Sequence, residues 1–295
     1  MSMLEGRVAI ITGAGRGLGR EHALLFADLG ARIVVNDRGA GNDGSGEDQT
    51  PAEEVVSEIR SRGGEAVLNT DDVSDFTGAR QMIAAAVDAF GDLDILVNNA
   101  GILRDRLLVN MTEEEWDSVV AVHLKGHFAP TRWAADYWRS QHKAGHTKRR
   151  NLVHTSSTSG LFANPGQANY GAAKSGVATL SQIAAKELER YGVVSNCIAP
   201  AARTRLTLAT PGLGELIAAP DDEEIFDPWD PANVSPLVAY LASDRCRFNG
   251  ETFYVQGGTV TRFQSWAFGD TVESPQRWDV ESLASELERL AIEDP

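Results

Sequence analysis

Arg7-Val-Ala-Ile-Ile-Thr-Gly-Ala-Gly-Arg-Gly-Leu-Gly19 is a short apolar run that breaks into glycines, and a helical pattern follows it at once. A continuous run of this length is what a strand covered on both faces looks like. Glycines between a strand and a helix permit a tight turn and let backbone N–H groups approach a pyrophosphate at the helix N-terminus. The candidate contacts are Gly13, Arg16, Gly17, Leu18 and Gly19, spaced Gly-x3-Gly-x-Gly.

The same rhythm continues outward. Strands are expected at Arg7–Thr12, Arg32–Asp37, Glu65–Thr70, Asp94–Asn98, Asn151–Thr155, Val193–Ile198 and Thr252–Gln256. Helices are expected between them. Gly17–Gly30 follows the first strand, and Pro51–Arg62 has Thr50 as N-cap with Glu53 completing a capping box. Thr112 and Glu115 form a second box before a long helix, and Ser235-Pro236 opens another. Alternating strands and helices imply a parallel sheet with helices on both faces and ligands at the carboxyl ends of its strands. Gly39–Gln49 has almost nothing to bury and reads as a mobile loop. His142–Arg150 is basic and reads as a solvated loop. Arg203–Pro231, with four prolines, reads as a lid or substrate loop.

Composition narrows the function. The 295 residues are 42% hydrophobic, enough for a sizeable core. A formal net charge of −15 makes the chain a poor non-specific binder of nucleic acid or anionic membrane. Cys197 and Cys246 lack ligand spacing, so no zinc site or disulfide framework is expected. No apolar run approaches a membrane span. Met1–Glu5 has no signal-peptide character and Glu-Asp-Pro is no peroxisomal address, so a cytoplasmic location is expected.

Chemistry enters at three places. Asp37 ends the second strand, eighteen residues past Gly19. A carboxylate there accepts hydrogen bonds from the adenosine ribose and repels a 2′-phosphate, which argues for NAD as the cofactor. Arg16 and Arg38 argue the other way, as candidate partners for the 2′-phosphate of NADP. Tyr170 and Lys174 stand four residues apart at the start of a helical run, one turn apart on one face. A phenol is too weak an acid to serve as a base near neutrality, and a neighbouring ammonium lowers its pKa. Finally, Ser156, Ser157, Thr158 and Ser159 end the fifth strand, and any of these hydroxyls can hydrogen-bond a substrate oxygen.

Together these pieces resemble the short-chain dehydrogenase/reductase family, from about Gly6 to Gly258. The resemblance implies an α/β fold: a single Rossmann-type doubly wound domain with a seven-stranded parallel sheet and helices on both faces. It implies that Asp72 and Val73 contact the adenine. Asn99, Ala100 and Gly101, in Asn98-Asn-Ala-Gly, line the cofactor. Tyr170 is the acid–base, and Lys174 also holds the nicotinamide ribose. The family's serine lies thirteen residues before its tyrosine, which selects Ser157. Many members carry Asn where this chain has His123. That Asn opens a helix kink and holds a relay water; His123 either does so through a ring nitrogen or is a satisfied buried histidine. Many also carry Pro-Gly followed by a Thr contacting the nicotinamide amide. Here the stretch is Pro200-Ala-Ala-Arg-Thr-Arg-Leu-Thr, leaving Thr204 and Thr207 as candidates.

Val35-Asn-Asp with its long loop, His123-Leu-Lys-Gly, Gly166-Gln-Ala-Asn-Tyr170 and Ile198-Ala-Pro-Ala are similar to the (3R)-hydroxyacyl-CoA dehydrogenase part of peroxisomal multifunctional enzymes and to their stand-alone bacterial relatives. That part is also known as a type of 17β-hydroxysteroid dehydrogenase. The resemblance implies NAD-dependent oxidation of a 3-hydroxyacyl-CoA in lipid or sterol breakdown. A hydroxysteroid or other apolar cyclic alcohol is the alternative substrate, and an inactive cofactor-binding regulator the alternative class. It also implies a homo-oligomer, a dimer or tetramer. Residues 1–260 form the expected domain, with a substrate loop at about 203–231. Residues 261–295 form an extension in which Val280, Leu283, Ala284, Leu287, Leu290 and Ala291 recur at helical spacing.

Overall fold

The computed structural model describes residues 2–208, 217–220, 222, 225–264 and 267–293. Seven strands lie where the apolar runs place them, within one or two residues: β1 Val8–Thr12, β2 Arg32–Asn36, β3 Glu65–Asn69, β4 Ile95–Asn98, β5 Arg150–Thr155, β6 Val193–Pro200 and β7 Thr252–Gln256. The expected count of seven is corrected to eight. β8, Thr259–Arg262, folds back antiparallel on β7, with Gly257 and Gly258 between them. It escapes a reading based on hydrophobic pattern because all four of its residues are exposed. The sheet order is β3-β2-β1-β4-β5-β6-β7-β8, and the first seven strands run parallel.

The order in which successive strands are added reverses between β1 and β4, which opens a crevice at their carboxyl ends. Thr12 closes the floor of that crevice. Its hydroxyl accepts the N–H groups of Asn99 and Ala100 at 2.9 and 3.1 Å, and its carbonyl accepts from the Asn99 side chain at 3.0 Å.

One face of the sheet packs on α1 (Gly17–Asp28), α2 (Thr50–Ser61) and the later helix Ser235–Leu241, through Phe26, Ile59, Val238 and their neighbours. The other packs on α3 (Phe76–Phe90) and on the helix Gly126–Lys143, through Met82, Ala134 and Trp138. The expected capping box at Thr50 is not formed. Thr50 is itself the first helical residue, because Asp48 accepts its N–H at 3.2 Å and starts the helix one residue earlier. The box at Thr112 and Glu115 is present. The long helix expected after it is three pieces: α4 (Glu113–Val120), a π-helical turn (Ala121–Lys125) and α5 (Gly126–Lys143). After β5 come α6 (Thr158–Phe162) and α7 (Ala168–Leu188). After β6 come α8 (Arg205–Leu208) and α9 (Ser235–Leu241). Of the substrate loop, residues 209–216, 221, 223 and 224 lie outside the described residues.

Contacts divide the chain into two compact units, Met1–Arg262 and Phe263–Pro295. The second holds α10 (Val280–Glu293), whose first turn is anchored where Asp279 accepts the Ser282 N–H at 2.9 Å. No helix among the described residues is long and apolar enough to cross a membrane.

The approach of α1 to the glycine turn leaves no room for a side chain at Gly19, where a Cβ would sit 2.2 Å from the Gly13 carbonyl oxygen. Gly19→Ala is therefore expected to destabilise the fold by about 1–3 kcal/mol through overpacking. The check is the melting temperature by circular dichroism, which should fall by several degrees; an unchanged value would contradict the close approach.

Candidate active site

A cleft of about 460 Å³ opens at the carboxyl ends of the strands. Of the residues singled out in the sequence, Gly13, Arg16, Gly17, Leu18, Asp37, Asp72, Val73, Asn99, Ala100, Gly101, His123, Ser157, Tyr170, Lys174, Pro200 and Thr204 all line it. Gly19 does not; it packs beneath the turn instead.

At one end β1 runs into the glycine turn and α1. Asp37 faces this turn, its carboxylate accepting the N–H of Gly15 at 2.9 Å and that of Gly39 at 2.7 Å. Both arginines next to it are engaged. Arg16 pairs with Asp48 at 3.0 Å and Arg38 with Asp72 at 2.7 Å. Burial raises the pKa of Asp72, but hydrogen bonds from Ser74 and the Arg38 charge outweigh it, and the carboxyl ends below its usual range. The loop after β2, expected to be mobile, is knitted to its surroundings. Asp48 N–H donates to Gly39 O at 2.9 Å, Leu103 N–H to Asn42 O at 2.9 Å, and Arg104 to Asp43 O at 2.8 Å.

At the other end stand Ser157, Tyr170 and Lys174. Ser156 is turned away, its hydroxyl donating to the Lys174 carbonyl at 2.7 Å. Ser157 caps α6 by accepting the Ser159 N–H at 3.2 Å. Its own proton is thereby free to donate to the Tyr170 oxygen, a bond that favours the phenolate. Tyr170 sits in the first turn of α7, which Asn169 fastens down by donating to the carbonyls of Arg104 and Glu115 at 3.0 and 2.9 Å. One turn on, buried Lys174 extends its Nζ to the Thr155 carbonyl at 2.5 Å, and that Nζ lies 5.6 Å from the Tyr170 ring centre.

Burial acts on this pair in the direction opposite to activation. It pushes the Tyr170 hydroxyl up to about 12, against the Ser157 hydrogen bond, with the Asp105 charge adding to the rise. It pushes the Lys174 ammonium down to about 7. Burial thus favours the neutral form of both groups.

His123 lies in the π-helical turn, its ring edge-on to Tyr170 at 5.0 Å between centres. Its Nε2 meets the backbone of Ile102, 2.8 Å from the oxygen and 3.1 Å from the nitrogen. Nδ1 has no protein partner. Burial, with the Lys174 charge second, holds the ring well below its ordinary pKa, so it is neutral at neutral pH. Gly101 admits this ring: a Cβ there would stand 2.5 Å from its Cε1. Thr204 and Thr207 both line the cleft. Thr207 spends its hydroxyl inside the turn, donating to Ala202 O at 2.8 Å, whereas Thr204 faces the glycine turn across from Gly17.

Two contributors escape the sequence. Asp105 accepts from Gln167 at 2.8 Å, and Gln167 accepts from Asn164 at 3.0 Å, forming one wall beside Tyr170. Asp105 is one of 42 acidic residues and no spacing marks it out. Arg205 reaches the cleft near Arg16 and Asp37. No cluster of His, Cys, Asp or Glu among the described residues is arranged to hold a metal ion.

Because the Asp105 charge raises the Tyr170 pKa, Asp105→Asn is expected to lower it. A titration of tyrosinate absorbance, with Tyr170→Phe subtracted to isolate the residue, should show the midpoint at lower pH; a rise would reverse the assigned electrostatics.

Residues 7–209 match the short chain dehydrogenase family. The chain is 47% identical over 262 residues to the hydroxyacyl-CoA dehydrogenase ChsB1 of Mycobacterium tuberculosis, covering 88% of this chain and 80% of that one. It is 45% identical over 258 residues to the peroxisomal multifunctional enzyme type 2 of Drosophila melanogaster, covering 88% of this chain but only 40% of that longer protein. The crystal structure of a short chain dehydrogenase from Mycobacterium avium superposes with a TM-score of 0.86 at 46% identity, covering 98% of this chain and 95% of that one. With the cleft, the glycine turn and this likeness over most of its length, the chain belongs to the short-chain dehydrogenase/reductase family of oxidoreductases.

Proposed function

We propose that the protein is an NAD-dependent dehydrogenase that interconverts a secondary alcohol and a ketone, and that its substrate is a 3-hydroxyacyl-CoA. The observation that carries the reaction is the Ser157–Tyr170–Lys174 set, in one cleft with the glycine turn and Asp37. Ser157 orients the substrate hydroxyl. Tyr170, as phenolate, takes the hydroxyl proton, and the carbinol C–H bond breaks as the carbonyl forms. A nicotinamide bound in the cleft would supply the acceptor for that hydrogen as hydride. Lys174 stabilises the phenolate and holds the ribose. The inactive-regulator reading loses ground because a cofactor sensor has no use for a hydrogen-bonded serine, tyrosine and buried lysine at the cofactor's reactive end.

The residues fit this dinucleotide. The glycine turn lines the cleft at the N-terminus of α1, where backbone N–H groups suit a pyrophosphate. The preference for NAD is supported by Asp37, whose carboxylate faces the glycine turn and would oppose a 2′-phosphate, and by Arg16 and Arg38, which pair with Asp48 and Asp72. The acyl-CoA substrate is supported by the named activity of ChsB1, a relative matched along most of its length. The same reading includes a cytoplasmic homo-oligomer. Association is supported by an exposed apolar run at Leu108 and Val109, 73% and 87% accessible.

The test is a panel of 3-hydroxyacyl-CoA esters and hydroxysteroids assayed with NAD and with NADP. Turnover of the esters with NAD is expected. A strong NADP preference would overturn the role of Asp37, and activity confined to steroids would overturn the substrate. Tyr170→Phe should reduce turnover by about 10²–10⁴-fold, the usual contribution of a positioned acid–base, while NAD binding by calorimetry is retained.

A further inference from the structure

The segment between β6 and α9 gives the cleft an apolar wall that neither the glycine turn nor the Ser157–Tyr170–Lys174 set accounts for. Leu206, Ile217 and Trp229 line the cleft from this segment. Ile217 is buried and Trp229 half-buried, and the indole offers the largest apolar face of the three. Phosphates, ribose hydroxyls and a reacting alcohol all call for polar partners. Leucine, isoleucine and tryptophan side chains suit the apolar part of a ligand.

Arg203, just past the end of β6, ties this wall together by reaching three points of the segment. Its backbone N–H donates to the Trp229 carbonyl at 2.6 Å. Its guanidinium donates to the Ile217 carbonyl at 3.0 Å and to both carboxylate oxygens of Asp227, Oδ1 at 3.2 Å. The planar fork of an arginine matches such a bidentate grip. Asp227 is fixed from its other side as well. Its Oδ1 accepts the Trp229 N–H at 3.0 Å, and its carbonyl accepts from the Asn233 side chain at 2.8 Å. Pro228 closes on the turn after β7, where a Cβ on Gly257 would stand 3.1 Å from it. The Arg203 and Asp227 side chains are 20% and 15% exposed, so the pair is better shielded from water than an ordinary surface bridge. Neither residue lines the cleft.

We propose that Arg203 and Asp227 form a clasp that positions Ile217 and Trp229 as the binding wall for the acyl chain of the substrate. Arg203 is a positioning residue: it holds the backbone at both wall residues and acts through them, not on the reacting atoms. Contact between an apolar wall and an acyl chain strengthens with each methylene taken out of water. The clasp therefore sets how strongly the protein responds to chain length. The inference rests on the acyl-CoA reading above and adds to it the residues that measure the chain.

Calorimetry on the protein saturated with NADH tests this, because the reduced cofactor lets a hydroxy ester bind without turnover. The probes are 3-hydroxybutyryl-CoA and 3-hydroxydecanoyl-CoA, and the parent should bind the decanoyl ester more tightly. Arg203→Met removes the fork and keeps a long side chain; Trp229→Ala removes part of the wall itself. Each should weaken the decanoyl ester by about tenfold, the effect of roughly two methylenes taken out of contact. The butyryl ester and NADH should bind as in the parent. An unchanged decanoyl affinity in Arg203→Met overturns the proposal. So does an equal loss for both esters, or a loss for NADH, which is the signature of a cleft disrupted as a whole. If Arg203→Met does not fold, Asp227→Asn breaks the ion pair at nearly unchanged shape and is read the same way. A parent that binds neither ester but binds a hydroxysteroid overturns the acyl-CoA reading instead, and that result appears before any substitution is made.

Discussion

An ammonium and a phenol share a space from which water is largely excluded, and the architecture of the active site answers to that constraint. Desolvation favours the neutral form of each group, so left alone Lys174 loses its proton and Tyr170 keeps its own. The fold counters this with fixed dipoles. The carbonyl of Thr155, at the open end of β5, takes one ammonium proton; Ser157, fixed by its capping bond to Ser159, directs a proton at the phenol. Both come from one strand end and the turn after it. The carboxyl edge of β5 therefore does the electrostatic work, and α7 delivers the two side chains to it.

The helix preceding β5 is shaped by the same demand. A continuous α-helix from Glu113 to Lys143 would carry each residue past the cleft at a regular 3.6-residue step. The π-helical turn at Ala121–Lys125 inserts one extra residue, as such turns do at functional sites. It leaves His123 aimed at the Ile102 backbone and His127 aimed inward. Gly101 gives His123 the space it needs. The cofactor end obeys a different logic, that of competing charge. Asp37 is held by backbone N–H groups, and Arg16 and Arg38 pair with Asp48 and Asp72.

Much of this was legible in the chain. Seven apolar runs became seven parallel strands because residues covered on both faces have no polar side to confuse the pattern. The eighth strand carries no such pattern: Thr259, Val260, Thr261 and Arg262 are exposed and gain their structure only by pairing with β7. The start of α2 slipped by one residue because a carboxylate at Asp48, two positions before Thr50, offered the N–H a better-placed acceptor than the expected cap. The loop after β2 looked featureless because its ties are backbone carbonyls at Gly39, Asn42 and Asp43, which sequence does not display.

Local spacing alone determined that a glycine turn joins the first strand to a helix, that Tyr170 and Lys174 share a helical face, and that hydroxyls end the fifth strand. Those are consequences of covalent connectivity and helical period. Only the tertiary structure decided that Ser157 faces the phenol while Ser156 turns into the core, that Asp105 pushes on Tyr170 from a separate loop, and that the rings of His127 and His154 stack. These depend on segments brought together from 13 to 65 positions apart, and on the loss of solvent between them. Burial, the largest influence on the Tyr170, Lys174 and His123 pKa values, exists only once the chain has closed around them.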